Sequence, residues 1–281
     1  VAPVSVMAGK TVAITGASAG IGLETAKALS AMGAHIIAIV RDPAKADAAL
    51  ANVAHDTVVA DLYSLAAVRA AGAEIRKRFS RLDVLINNAG GIHGARELTV
   101  DGFEKTFALD HLAAFLLTYE LKDLLAASAP ARIVTVSSAA HRMASFVWDD
   151  LATMQRWRGQ NAVYGTAKLC NIWFARESAR RLAAQNVTSN SLHPGAVASN
   201  FGQTGSPLYR TIAKLARPLL KTVEQGARTS VFVASSPQLE GASGLYFANE
   251  KPTKPSRWAR DDREALKLWR LSEQCCGVTW A

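Results

Sequence analysis

The sequence predicts an α/β fold, a doubly wound parallel sheet flanked by helices, and three observations carry that expectation. Short β-branched runs alternate with longer helical patterns along the 281 residues, the order that repeated right-handed βαβ units require. The runs are apolar almost throughout instead of alternating, as strands covered on both faces must be. A glycine-rich turn joins the first run to the first helix.

The elements follow in order. Residues 11–15 (TVAIT) form a β-branched strand. After the glycine turn, residues 21–32 carry a helical pattern. Residues 35–40 (HIIAIV) are the second strand, and Asp42 before Pro43 opens a helix. A short strand over 57–60 leads to a helix over 65–79, and a strand over 82–87 leads to one long helix over 102–127. Residues 132–137 are the next strand, 164–184 a helix, 187–192 a strand and 244–247 the last strand. With no internal repeat and no Pro/Gly/Ser linker, residues 1–281 are expected to form a single Rossmann-type domain, both dinucleotide-binding and catalytic. Two segments, 141–160 and 200–224, fall outside the alternation. Each follows the C-terminal end of a strand, where ligands bind in doubly wound folds, so both are expected to cover the substrate.

Bulk properties narrow the function. There are 32 Lys and Arg against 23 Asp and Glu, a net charge of +9. That balance suits a solvated basic surface and attracts anionic ligands such as a phosphorylated cofactor. No Lys/Arg stripe interleaved with aromatics points to nucleic acid. No His or Cys set has metal-ligand spacing, so no metal is expected. Cys170 falls in an apolar helical pattern, and Cys275 and Cys276 are adjacent. All three are expected as reduced thiols of a cytoplasmic protein. Residues 1–10 do not read as a signal peptide. The longest apolar stretch, 109–125, is broken by Asp110, His111, Glu120, Lys122 and Asp123, so no membrane span of about 20 residues is expected.

The turn Thr15-Gly16-Ala17-Ser18-Ala19-Gly20-Ile21-Gly22 has the physics of a dinucleotide site. Gly16 permits the tight turn, Gly20 lets the backbone approach a pyrophosphate and Gly22 allows close packing of helix on strand. The helix N-terminus presents N–H groups to the anion. After the second strand an acidic residue would bind the ribose hydroxyls of NAD(H). Here Arg41 follows Val40. Arg41 can pair with a 2′-phosphate, and Ser18 can add a hydroxyl, so NADP(H) is favoured over NAD(H).

Tyr164 and Lys168 stand at i and i+4, on one face of a helix. A phenol of pKa ~10 is a poor proton carrier at neutral pH, and a neighbouring ammonium makes it a better one by stabilising the phenolate. Ser137 and Ser138 emerge where a strand ends, placing a hydroxyl to bond a reacting oxygen. Asn87-Asn88-Ala89-Gly90 ends another strand beside the cofactor. His93, His111 and His141 have no nucleophile at recognisable spacing, and Ser138 lacks the G-x-S-x-G elbow of a hydrolase.

With the glycine turn, Asp61, Asn87-Asn88-Ala89-Gly90, Ser138, Tyr164-x-x-x-Lys168 and His193-Pro194-Gly195 in this order, the chain resembles the short-chain dehydrogenases/reductases over nearly its whole length. Arg41-Asp42, Asp110-His-Leu, Phe115-Leu-Leu-Thr118, the long Ser138-to-Tyr164 spacer and a tail with Gly244-Leu-Tyr-Phe247 and Leu268-Trp269 resemble the retinol-dehydrogenase-like and WW-domain-oxidoreductase-like branch. The resemblance implies that Ser138, Tyr164 and Lys168 are catalytic, with Lys168 also holding the nicotinamide ribose. It implies that Asp61, with Leu62 beside it, contacts the adenine and Asn88 the adenosine ribose, next to Ala89 and Gly90. Pro194, Gly195, Val197 and Ser199 would line the nicotinamide, and Ile21 belongs to the same cofactor set. The family often forms homodimers through the long central helix and the tyrosine-bearing helix. There is one departure: the family's fourth catalytic residue, an asparagine, is Asp110 here. Asp110→Asn is expected to keep or raise turnover.

Phe146, Trp148 and Trp157, with Phe201, Leu208, Tyr209, Ile212, Leu215, Leu219 and Leu220, suggest an apolar pocket for a bulky ketone, aldehyde or alcohol. The alternatives are an NADP(H)-binding sensor or interaction protein without turnover, and a reductase of an activated C=C bond.

Overall fold

A computed structural model describes residues 6–197 and 220–280. Among these, eight strands form one sheet in the order β3-β2-β1-β4-β5-β6-β7-β8. They are β1 (Thr11–Thr15), β2 (His35–Val40), β3 (His55–Val59), β4 (Val84–Asn87), β5 (Ala131–Val136), β6 (Val187–His193), β7 (Tyr246–Ala248) and β8 (Lys251–Pro252). The helices are α1 (Gly20–Ala31), α2 (Pro43–Ala49), α3 (Leu65–Arg78), α4 (Lys105–Phe107), α5 (Ala113–Ala127), α6 (Gln160–Arg181), α7 (Val223–Ser235) and α8 (Asp262–Cys276).

β1 to β7 pair in parallel, and the order reverses between β1 and β4, where Val12 lies beside Val84 and Ile14 beside Ile86. That reversal opens a crevice at the C-terminal strand ends. The continuous apolarity of the strands follows from their two-residue period, which serves two cores. Ile37, Ile39, Leu85 and Ile133 face a core shared with α3, α5, α6 and α8. Ile36, Ala38, Ile86 and Val134 face one shared with α1 and α7.

At the N-terminal ends of the strands, Asp83 latches β4 to β1. Its carboxylate accepts from Lys10 Nζ at 2.9 Å, from Thr11 N at 3.0 Å and from Arg81. Burial raises its carboxyl, but Arg81, Lys10 and the Thr11 N–H together hold it below the usual aspartate range.

Several expectations need correction. The long helix expected over 102–127 starts at Lys105 and is interrupted by a π-helical turn at Ala108–Leu112, between α4 and α5. The doubly wound parallel sheet is as expected, and β8 adds a two-residue antiparallel strand beside β7, with Phe247 opposite Pro252. Neither α7 nor α8 was anticipated. α7 carries a complete capping box, Thr222 with Gln225. α8 opens on Asp261, whose side chain accepts from Arg263 N and Glu264 N, and closes on Gly277 at φ 59°.

Segment 141–160 is irregular as expected, with short 3-10 turns at Ala139–Met143 and Trp148–Asp150. Its aromatics pack on helices. Trp148 stacks on Trp173 at 5.9 Å, Phe146 meets both rings, and Trp148 Nε1 donates to Glu264 at 2.8 Å. Of segment 200–224, residues 200–219 lie outside the described residues, and with them Phe201, Leu208, Tyr209, Ile212, Leu215 and Leu219.

Candidate active site

The glycine turn is built against the end of β4. The Thr15 hydroxyl accepts from the backbone N–H groups of Asn88 and Ala89, each at 2.9 Å, and Asn88 Nδ2 donates to the Thr15 carbonyl at 2.8 Å. Gly16 and Gly20 take positive φ of 72° and 58°, the region that glycine enters without strain. A Cβ on Gly22 would stand 2.4 Å from both Asn88 Nδ2 and the Gly16 carbonyl. Gly22 therefore answers to the turn and to β4, not to the packing of α1 alone.

Helix α1 begins at Ala19 with no side-chain cap and no acidic residue in its first turn. By contrast α2, α3, α7 and α8 are capped by Asp42, Ser64, Thr222 and Asp261. An uncapped N-terminus behind a glycine turn leaves its N–H groups to an anion. Ser18 and Ile21 are half-buried there.

Beyond β2, Arg41 is exposed, and Asp42 is occupied in capping α2 through Lys45 N at 3.0 Å. Asp61 is exposed and accepts from Tyr63 N at 3.2 Å, while Leu62 is buried in the core, so only its backbone can meet a ligand. Tyr63, which the sequence did not single out, stands alongside with His93. The Tyr63 hydroxyl lies 3.0 Å from His93 Nε2, and burial, then the Asp110 carboxylate, push that phenol up to about 12.

The Tyr164–Lys168 face of α6 meets the ends of β4 and β5. Lys168 Nζ lies 5.5 Å from the centroid of the half-buried Tyr164 ring. It donates to the Val136 carbonyl at 3.1 Å and pairs with Asp110 Oδ2 at 3.1 Å. Asp110 sits in the π turn, and its Oδ1 accepts from Gly91 N at 2.7 Å. Burial holds its carboxyl above the usual aspartate range, against the opposing pull of Lys168 and the Gly91 N–H. A Cβ on Gly90 would stand 2.9 Å from Lys168 Nζ and 3.1 Å from Asp110 Oδ1, so the pair requires glycine at this place. Asn171, which the sequence reading missed, donates to the same Val136 carbonyl at 3.1 Å. Its signal was the i+3 spacing from Lys168.

The two serines after β5 differ. Ser137 is buried and donates to the Lys168 carbonyl at 2.6 Å. Ser138 is half-buried, and its hydroxyl oxygen accepts from Ala140 N at 3.2 Å.

His141 and His193 are both engaged in hydrogen bonds with the backbone. His141 Nε2 accepts from Ser256 N at 2.9 Å, which leaves Nδ1 to donate to the Ser138 carbonyl at 2.7 Å. His193 Nδ1 accepts from Ala139 N at 3.2 Å, and burial, then Lys221, push that imidazole down to about 4. Gly195 takes φ 98° against Lys221. Val197 bridges to Lys221, and a Cβ on Gly226 would meet both Val197 and Ile21. The loop with Pro194, Gly195 and Val197 thus closes toward the glycine turn, while Ser199 lies outside the described residues.

Known proteins are similar to the chain over most of its length. The short chain dehydrogenase family matches residues 10–207. Retinol dehydrogenase 14 of Mus musculus is 41% identical over 297 residues, covering 97% of this chain and 87% of that protein. The WW domain-containing oxidoreductase of Pongo abelii is 37% identical, covering 95% and 68%. A protein of Mycobacterium Paratuberculosis has a crystal structure with TM-score 0.77 and 32% identity, covering 98% of this chain and 96% of that one. A Beutenbergia cavernae structure described as an NAD(P) dependent gluconate 5-dehydrogenase with NADP bound at low occupancy has TM-score 0.70 and 26% identity, covering 88% and 97%. The chain belongs to the short-chain dehydrogenase family, in the branch of the retinol dehydrogenases and WW domain-containing oxidoreductases.

Proposed function

We propose that this oxidoreductase uses NADP(H) to interconvert a bulky, mostly apolar ketone or aldehyde with its alcohol, running as a reductase in the cell. The observation that best supports the reading is Lys168 Nζ, 5.5 Å from the Tyr164 ring and donating to the carbonyl of Val136, two residues before Ser138, together with the uncapped start of α1.

The residues present fit a dinucleotide. The bare N-terminus of α1 and the close-approach glycines suit a pyrophosphate. Gly16, Ser18, Gly20, Ile21 and Gly22 would hold it. Arg41 would take a 2′-phosphate, and its exposure and the engagement of Asp42 elsewhere support NADP(H) over NAD(H). Asp61 and Leu62 would flank the adenine, and Asn88, Ala89 and Gly90 its ribose. Pro194, Gly195, Val197 and Ser199 would line the other end. When bound, the cofactor supplies or accepts the hydride.

The chain's own residues move the proton. Tyr164 gives its phenolic proton to a carbonyl oxygen, or takes one from an alcohol. Lys168 steadies the phenolate by its charge. Ser138 donates a hydrogen bond to the same substrate oxygen. Support for an apolar substrate comes from the retinol dehydrogenases among the relatives. The aromatics of segment 141–160 support it less, since Phe146 and Trp148 are engaged in packing.

The test is purified protein with NADPH and a panel of bulky ketones and aldehydes, followed by nicotinamide absorbance and product analysis. Consumption that yields alcohols, and falls about 1,000-fold or more in Tyr164→Phe, supports the reading. Binding without consumption, indifferent to Tyr164→Phe, indicates a sensor instead. Saturated ketones from enones indicate C=C reduction.

A further inference from the structure

We propose that Asp110 is a positioning residue that offsets part of the charge of Lys168 toward Tyr164, favouring the proton-donating form of the site and so biasing it toward carbonyl reduction. The proposal rests on the reading of Tyr164 as the proton carrier.

Lys168 has two neighbours that matter. Its Nζ is 5.5 Å from the Tyr164 ring centroid and 3.1 Å from Asp110 Oδ2. The side chains of Lys168 and Asp110 are 3% and 0% exposed, so salt screens the pair little. A lone ammonium beside a phenol favours the phenolate; an ammonium closed onto a carboxylate carries no net charge, and that preference shrinks.

The surroundings hold the carboxylate in this role. Gly91 N–H fixes Oδ1, and the missing Cβ of Gly90 makes room for the pair. Oδ2 faces the ammonium at 3.1 Å, a contact that combines charge with hydrogen bonding. An asparagine could keep the Gly91 bond with its own oxygen. What aspartate adds is the charge.

Other titratable groups among the described residues surround the pair. From the loop after β3, Tyr63 is paired with His93. From the start of α4, the buried Glu104 carboxyl is pushed up by burial. His111, beside Asp110, is pushed down to about 3 by burial and stays neutral. On the β5 and β6 side, burial lowers His141 and His193. Arg41 and Asp61 also act on Tyr63, from the cofactor side.

In the step concerned, the Tyr164 O–H bond breaks and its proton goes to the carbonyl oxygen. The carbonyl carbon gains a hydride from the reduced nicotinamide, which is thereby oxidised. The phenolate left behind regains a proton from solvent. A site that keeps the phenol protonated at neutral pH favours this direction over alcohol oxidation.

The experiment is ultraviolet titration of phenolate in cofactor-free protein. The signal of Tyr164 is isolated by subtracting the matching Tyr164→Phe variant, in wild type and in Asp110→Asn. The midpoint in Asp110→Asn is expected to fall by on the order of one pH unit, about ten-fold more phenolate at any pH below it. The pH profile for alcohol oxidation should move the same way. An unchanged or raised midpoint overturns the proposal. Because the titration needs no turnover, a shifted midpoint in a protein that reduces nothing would leave this inference standing while the proposed function fails. Should Asp110→Asn not fold, infrared spectra of wild type labelled with 13C-aspartate decide. An ionised set of aspartates at neutral pH supports the pair, and a protonated one overturns it.

Discussion

At Gly22 and Gly90 the site leaves little room for a side chain. A methyl group on Gly22 would lie 2.4 Å from a backbone oxygen and from Asn88, and backbone cannot give way cheaply. Gly22→Ala is expected to destabilise by about 1–3 kcal/mol or more and to weaken NADPH binding at least ten-fold, measured by urea unfolding and by cofactor fluorescence. In Gly90→Ala the new methyl meets the tip of the flexible Lys168 side chain first. Stability should therefore change less than in Gly22→Ala, while kcat falls more than KM rises, as steady-state kinetics would show. These residues were legible because each belongs to a short local motif. The contact between Asp110 and Lys168 was not. Sequence placed both in the catalytic set, but nothing in their spacing says that a carboxylate and an ammonium 58 positions apart close on one another.

At the scale of elements, the π turn places consecutive residues in different surroundings. Asp110 meets Gly91 and Lys168, whereas His111 reaches Ser272 of α8 at 2.8 Å. One wider turn thus serves both the site and the docking of the last helix. The periodicity of 102–127 gave no sign of it, because tertiary partners decide where a helix widens. The first half of the fold was readable from β1 to β4, since each strand is apolar and each turn punctuated. α8 was hidden by its charges, although its Asp261 and Gly277 were the usual boundary marks. Its anchor is Trp269, stacked on Phe174 and edge-on to Phe115 at 5.0 Å. Trp269→Ala is expected to cost about 3–5 kcal/mol, read from chemical denaturation. Tyr164 should stay competent in whatever fraction remains folded.

For the whole molecule, the placement of α8 bears on assembly. The face shared by α5 and α6 is one through which the family often dimerises. Here it is covered by the chain's own tail: Trp269 and Trp280 pack on Phe115, Trp280 on Tyr119, and Arg69 reaches the Cys276 carbonyl. A homodimer through that face would have to bury the tail as well, and light scattering after size exclusion at micromolar concentration reports whether one forms. Acid should also unfold the molecule earlier than its carboxylates alone would require. His111 and His193 are pushed down to about 3 and about 4 by burial. The unfolded chain then binds more protons than the folded one between about pH 6.5 and these values, and stability falls as pH drops through that window. Thermal melts across pH 7 to 4 should show the decline, and His111→Gln should flatten part of it.

The Asp83 latch closes one rim of the sheet, and the crevice opens on the other. Changes made far apart, with no shared partners, combine nearly additively. Redesign of substrate preference among the loops of the crevice can therefore proceed without eroding the anchorage of Lys10, Arg81 and Asp83. Reinforcing that anchorage would in turn leave the choice of substrate untouched.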